Sequence, residues 1–237
     1  MSKLSSPPPT EPAFLDCILL LDTKNYHVWT YRQWLVRHFS LWDSPSEFSS
    51  VESFLTRDVR NNSAWNHRWF LCFGRDETSS IPKSGGEEEE EEEEEASTTT
   101  TQIIDLDILD REIAYTSNKI HLAPQNPSPW SYLRALLEKS SSVGSTTQSD
   151  LQPFAEQYAG MLPPDNQIPE TPDKPPDSNI RTTPRENVKS THALSFLADC
   201  YLEQGKIQEA KDIWIIDLAG KWDRIRKGFW AYRAAQV

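Results

Sequence analysis

Lys24-Asn25-Tyr26-His27-Val28-Trp29-Thr30-Tyr31-Arg32-Gln33-Trp34 is the stretch on which the fold turns. An Asn is followed four residues later by a Trp, and an Arg comes three residues after that. The same spacing returns at Asn61, Trp65 and Arg68, with the two tryptophans 36 positions apart. A repeat of that length is the signature of stacked helical hairpins.

Upstream of each Asn lies an apolar run that ends in an acid. In the first unit this is Phe14, Leu15, Ile18, Leu19, Leu21 and Asp22, and in the second it is Val51, Phe54, Leu55 and Asp58. Steps of three and four residues predict an amphipathic helix. A short polar link follows, and a second helix carries the Trp and Arg. The Asn stands where a helix start wants a side-chain acceptor for its free N–H groups. One such hairpin cannot bury its apolar faces alone and needs neighbours.

Further along, Leu106, Leu109, Ile113, Thr116 and Ile120 predict a first helix ending near Pro124. Asn126, Trp130, Tyr132 and Leu133 then form a third unit in which Leu replaces the Arg. Pro127 and Pro129 suit a first helical turn, where the missing N–H has no partner anyway. From Val188 onward, Ala193, Leu197, Tyr201, Gly205, Ala210, Trp214 and Leu218 read as a tetratricopeptide-like hairpin with Gly at the turn. Trp230 and Arg233 repeat the Trp-x-x-Arg spacing once more. The expected organisation is a disordered leader at 1–12 and a helical-repeat domain at 13–237. Low-complexity inserts fall at about 76–102 and 140–187. The second insert is Ser-rich and then Pro-rich, with a short ordered piece near Leu151–Met161. The expected fold class is all-α, an α-α superhelix of antiparallel hairpins.

The net charge is −12, and the unbroken run Glu87–Glu95 supplies nine of the negative charges. Without it the balance is −3, and the basic footprint of a nucleic-acid binder is absent. A run of like charge repels itself and reads as a solvated loop. Cys17, Cys72 and Cys200 show no paired spacing and sit in apolar helical settings, so three buried thiols are expected. No run of 18 apolar residues exists to span a membrane, and Met1–Thr10 lacks the apolar core of a signal peptide. The expected location is the cytoplasm.

Lys24 to Trp34, followed by Leu41-Trp42-Asp43, together with Asp58-Val59-Arg60-Asn61-Asn62-Ser63-Ala64-Trp65-Asn66-His67-Arg68, resembles the protein prenyltransferase α-subunit family. The match is to the branch shared by farnesyltransferase and type I geranylgeranyltransferase. The related Rab geranylgeranyltransferase α subunit shares the Trp-Arg spacing but fits these strings less well. The resemblance implies a crescent of hairpins wrapped around a β subunit, with the second-helix starts lining the interface at the active site. It also implies that the β subunit holds Zn²⁺ and most of the isoprenoid pocket, with Mg²⁺ taking part. The substrates would be an isoprenoid diphosphate and a protein ending in CaaX. The family's diphosphate-contacting lysine lies in a Pro-Lys-Asn-Tyr-Gln-Val-Trp string that this sequence does not contain. Lys24 aligns instead with a lysine of the following repeat, so no catalytic residue is carried over.

The candidate site is the helix start Lys24, Asn25, Tyr26 and His27. A helix N-terminus beside Lys, Tyr and His suits an anionic diphosphate. Capping and packing between repeats would use the same residues equally well. Under the resemblance, Tyr26 and His27 border the active site. Trp29, Arg32, Trp65, Arg68, Trp130 and Trp230 read as structural. No metal-ligand set, phosphate loop or Ser/His/Asp constellation stands out, and no cofactor is expected on this chain. The resemblance also implies further repeats ahead of Phe14, so the chain as given is expected to fall short as half of an enzyme and to expose an apolar, aggregation-prone edge. The alternative functions are a non-catalytic helical-repeat protein-binding scaffold and, under the resemblance, the α subunit of a Rab geranylgeranyltransferase.

Overall fold

The computed structural model describes residues 6–75, 93–142, 146–160 and 189–237, with 93–105 and 142 as backbone only. All regular structure among them is helical: α1 (Glu11–Leu21), α2 (Tyr26–Phe39), α3 (Pro45–Arg57), α4 (Asn62–Phe73), α5 (Glu93–Leu122), α6 (Pro127–Ser142), α7 (Gln152–Ala159), α8 (Thr191–Glu203), α9 (Ile207–Asp212) and α10 (Lys227–Ala235). From Ile213 to Trp222, α9 continues with the wider π-helical pitch. The chain divides into two compact units. One comprises Met1–Lys119 with Asn126–Leu136, and the other comprises Ile120–Gln125 with Leu137–Val237.

In the first unit, helix pairs meet across four-residue links, 22–25 and 58–61, and each link is built by the same chemistry. Asp22 and Asp58 accept the N–H two residues on, from Lys24 (3.3 Å) and Arg60 (2.9 Å), which is how Asx side chains hold turns. Asn25 caps α2 through Val28 N (3.2 Å), and Asn61 caps α4 through Ser63 N and Ala64 N. Asn126 accepts from Ser128 N in the same way. Trp29 and Trp65 occupy equivalent buried positions, 6% and 1% exposed. Each indole donates to the carbonyl six residues back, Thr23 O (3.0 Å) or Val59 O (2.9 Å).

Those two carbonyls are each used twice. Asn61 Nδ2 donates to Thr23 O (3.3 Å), and Asn126 Nδ2 donates to Val59 O (2.9 Å). Each capping Asn therefore also stitches its hairpin to the one before.

In the second unit, Ser190 takes the place of the Asn. Its hydroxyl accepts from Ala193 N to cap α8 and donates to Pro124 O at 2.6 Å. Pro124 stands two residues before Asn126, as Thr23 does before Asn25 and Val59 before Asn61. The turn between α8 and α9 uses Gly205 at φ +73°, the left-handed region that favours glycine. The core here comprises Leu194, Phe196, Leu197, Trp214, Leu218 and Trp230. Trp230 Nε1 reaches the Asp223 carboxylate (2.9 Å), and Arg233 pairs with Asp199.

Several expectations are corrected. The first helix begins at Glu11, inside the stretch read as leader, because Pro12 fits a first turn. The backbone of α5 is helical from Glu93, inside the first insert. The short ordered piece expected near Leu151–Met161 is present as α7 and a 3₁₀ turn at Ser149–Leu151, with Gly160 ending the helix at φ +68°. The rest of both inserts, the glutamate run included apart from its last three residues, lies outside the described residues. Of the thiols, Cys200 is buried and Cys72 half-buried, but Cys17 is exposed on the outward side of α1. Burial pushes the Cys72 thiol up to about 12.

Candidate functional site

The two repeated spacings of the first unit sort its polar residues into a buried set and an exposed corner. The buried set is an acid–arginine ladder. Arg32, 1% exposed, gives Nε and Nη2 to the Glu47 carboxylate (2.7 and 3.2 Å) and Nη1 to Asp16. Arg68 gives Nε and Nη2 to Glu112 (2.6 and 2.8 Å) and lies 4.0 Å from Glu52. Asp16 precedes Arg32 by the same 16 positions as Glu52 precedes Arg68. Each guanidinium is thus held between an acid of its own hairpin and an acid of the next. Two parallel N–H···O bonds to one carboxylate give geometric specificity as well as strength.

Surrounding groups complete the ladder. His67 Nε2 meets Glu47 at 3.3 Å, and the Tyr132 hydroxyl meets Glu112 at 3.0 Å. Lys119 and Tyr115 bind Glu52, and the Tyr115 ring lies 3.5 Å from the Arg68 guanidinium carbon. Burial pushes the Tyr115 phenol up, as does its bond to Glu52. Burial works against the Glu47 carboxylate, yet hydrogen bonds from His67 and Arg32 hold it below the ordinary carboxylate range. These acids are fully engaged, so they serve structure rather than proton transfer.

His67 adds a pH dependence. Burial lowers its pKa below the ordinary histidine value, so the ring is neutral in the fold. The carboxylate can only accept, so Nε2 carries the hydrogen, and Nδ1 has no hydrogen-bond partner among the described residues. The unfolded chain gains a proton at this side chain below about pH 6.5, and the folded chain does so only at lower pH. Stability is therefore lost as pH falls through that value. Glu47 acts in the same direction further down, because its lowered pKa favours the fold until the pH reaches it. The unfolding temperature measured from pH 7.5 to 5 should fall in the native sequence. In His67→Gln the slope between pH 7 and 5.5 should flatten. An unchanged slope would show that another group sets it.

The exposed corner is the start of α2. Asp22 and Asn25 fix the backbone, and the next side chains point to solvent: Lys24 and His27 are exposed, and Tyr26 is 73% exposed. The Tyr26 and His27 rings meet edge to face with centroids 5.7 Å apart. The Lys24 ammonium makes no ion pair among the described residues. The corner offers a cation, a phenol and an imidazole together, which suits a phosphate-bearing ligand. The equivalent places in the next hairpins hold Asn62 and Ser63, then Pro127 and Ser128, so the Tyr-His pair belongs to the first hairpin alone. Trp29, Arg32, Trp65, Arg68, Trp130 and Trp230 are all buried. Among the described residues no group of three His, Cys, Asp or Glu could hold a metal ion, and no helix is long and apolar enough to cross a membrane.

Sequence reasoning missed Asp16, Glu47, Glu52, Glu112 and Ser190. A signal for the ladder exists: Glu47 and Glu112 each stand 14 residues before a capping Asn.

Comparison with known proteins bears on the whole chain. The family described as protein prenyltransferase alpha subunit repeat matches residues 8–39, 44–74 and 109–140. The protein farnesyltransferase/geranylgeranyltransferase type-1 subunit alpha of Candida albicans is 31% identical over 236 residues, covering 93% of this chain and 68% of the relative. The subunit of that name from Dictyostelium discoideum is 28% identical over 208 residues, covering 86% of this chain and 45% of the relative. Among solved structures, Candida albicans protein geranylgeranyltransferase-I complexed with GGPP superposes with a TM-score of 0.67 at 28% identity. That match covers 97% of this chain and 59% of the other.

Proposed function

Since this chain belongs to the protein prenyltransferase alpha subunit repeat family, we propose that it acts as the α subunit of a heterodimeric protein prenyltransferase. The reaction is transfer of a farnesyl or geranylgeranyl group to the cysteine of a C-terminal CaaX motif. The thiolate sulfur bonds to C1 of the isoprenoid, the C1–O bond breaks, and diphosphate leaves with the electron pair. The observation that carries this reading is the likeness to α subunits of that enzyme over 93% of the chain. The outward corner at Lys24, Tyr26 and His27 gives it a place to act.

In this reading the chain scaffolds a β subunit, and the start of α2 borders the diphosphate. The Tyr26 hydroxyl and the His27 imidazole can donate hydrogen bonds to diphosphate oxygens as charge develops on them, and Lys24 adds a positive charge nearby. Asn25 and the buried ladder hold that corner in position. Zn²⁺ and Mg²⁺ belong to the partner and the substrate rather than to this chain. The complex works in the cytoplasm.

The test is co-expression with a prenyltransferase β subunit, affinity purification, and transfer of a labelled isoprenoid to a CaaX peptide. Co-purification and turnover are expected. The double substitution Tyr26→Phe, His27→Ala should lower kcat/KM at least tenfold while leaving the unfolding temperature within about 1 °C, because both side chains are exposed. Failure of every tested β subunit to co-purify would refute the heterodimer. Full activity in the double variant would leave the heterodimer standing and remove the corner from the active site.

A further inference from the structure

Near the end of the second unit, cations and apolar side chains share one outward surface. Four of the seven residues from Lys221 to Lys227 are basic and one is acidic, in a chain whose net charge is −12. The acid, Asp223, is used internally. Its carboxylate accepts from Arg226 Nε at 2.6 Å and from Trp230 Nε1 at 2.9 Å. Arg226 N donates to Asp223 O (3.0 Å) across the 3₁₀ turn Arg224–Arg226. Trp230 is buried, so its indole ties the turn to the core.

Apolar side chains stand among these cations. Ile225 in the turn is 98% exposed, Tyr232 65% and Phe229 51%. Phe229 and Tyr232 are three residues apart on one side of α10, opposite the buried Trp230 and Ala234. Arg224 and Lys227 are exposed and make no ion pair among the described residues. A Cβ placed on Gly228 would meet nothing within 4 Å, so the surface is open there. A fully exposed isoleucine adds nothing to the core. An apolar patch rimmed by cations marks a site of association.

The shape selects the occupant. At 98% exposure Ile225 projects from the surface rather than lining a groove. It can enter a soft apolar medium, but it cannot enclose a peptide. The cations beside it call for anionic groups at the edge of that medium. A bilayer with anionic phospholipid offers both, phosphates at headgroup level and acyl chains just beneath. The net charge does not oppose this. Without the Glu87–Glu95 run it is only −3, and physiological salt screens exposed charges beyond about 8 Å, so the local sign governs.

We propose that the Arg224–Lys227 turn and the outer side of α10 dock this chain on the surface of an anionic phospholipid bilayer. Ile225, Phe229 and Tyr232 enter the boundary between headgroups and acyl chains, and Arg224, Arg226 and Lys227 meet lipid phosphates. Three side chains bury little apolar area, so the attachment is peripheral and reversible. It does not depend on the enzymatic reading.

The test is co-sedimentation of the full chain with vesicles of phosphatidylcholine alone and of phosphatidylcholine with phosphatidylserine. Binding should be at least tenfold tighter with phosphatidylserine and should weaken at least tenfold between about 0.1 and 0.5 M NaCl. One Lys or Arg at such a surface contributes about fivefold in partitioning, so Arg224→Gln with Lys227→Gln should weaken binding at least tenfold. Ile225→Ser with Phe229→Ser should weaken it at least fivefold. Both pairs should keep the unfolding temperature within about 2 °C, because these side chains are exposed. Ile207→Ser, which removes another exposed isoleucine of the same unit, should change nothing. No binding, binding that neither pair weakens, or an equal loss with Ile207→Ser would overturn the proposal. So would soluble oligoglutamate that binds as tightly and ignores the Ile225 and Phe229 pair, which would give the surface to an acidic peptide. Self-association that Ile225→Ser abolishes would give it to a second copy, and loss of vesicle binding in a complex with a β subunit would give it to that subunit; either result overturns the proposal.

Discussion

Arg68→Met should destabilise the fold by about 3 kcal/mol, because it takes the two-pronged guanidinium from the fully buried Glu112 and leaves it only the exposed Arg111 at 3.2 Å and the Tyr132 hydroxyl. Removing one member of a buried pair strands the other charge, and the cost of that stranded charge dominates the loss. The double replacement Arg68→Leu, Glu112→Leu should recover most of the difference, since no charge is then buried alone. The chain has carried out a version of this experiment itself. In the third repeat the arginine position is Leu133, fully buried, and the acid expected 16 residues before it is Ser117, whose hydroxyl turns back to Ile113 O. The measurement is urea denaturation of the two variants. A loss below about 1 kcal/mol in the single variant would mean that the ladder sets register without adding stability.

Trp65→Ala is the second substitution expected to be severe, at about 3–5 kcal/mol. The side chain is 1% exposed, packs against Tyr115 and Tyr132 at centroid distances of 5.9 and 4.9 Å, and donates to Val59 O. Its loss opens a cavity between hairpins and removes one of the two donors on that carbonyl, leaving Asn126 as the other. Trp34→Ala is the control: the ring stacks on Tyr31 and His38 at the surface, and its removal should cost less than about 1 kcal/mol. Calorimetric unfolding of the two variants separates them. A similar drop in both would mean that tryptophan content, rather than position in the repeat, governs stability.

The hairpins were legible in the sequence wherever Asn and Trp kept their spacing, because both residues act locally. Asn25 and Asn61 cap a helix within three residues, and Trp29 and Trp65 bond a carbonyl six residues away. Leu133 looked like decay of the motif. The structure gives it a reason, because the ladder's own-hairpin acid is gone there as well. The acids of the ladder escaped notice because the arginines that grip them with two bonds sit in another hairpin; Arg111, beside Glu112 in sequence, meets it with only one. Ser190 escaped because a serine can do an asparagine's work at a helix start, and Leu194 follows it where a Trp stood before. At the candidate corner, the positions of Tyr26 and His27 were readable from the cap.

The two rungs of the ladder differ in one respect. Arg32 and Glu47 are 15 residues apart, whereas Arg68 and Glu112 are 44 apart, yet both close with the same two-pronged geometry. The entropy of closing a chain grows only with the logarithm of its length, so the longer span costs about 1 kcal/mol more. Apolar burial at the same joint, where Trp65 packs against Tyr115 and Tyr132, offsets a cost of that size. The joint between the second and third hairpins is therefore indifferent to how much polypeptide runs through it. Natural variation can lengthen or shorten that passage freely, and an engineer can place a reporter domain or a cleavage site there without disturbing the hairpins on either side.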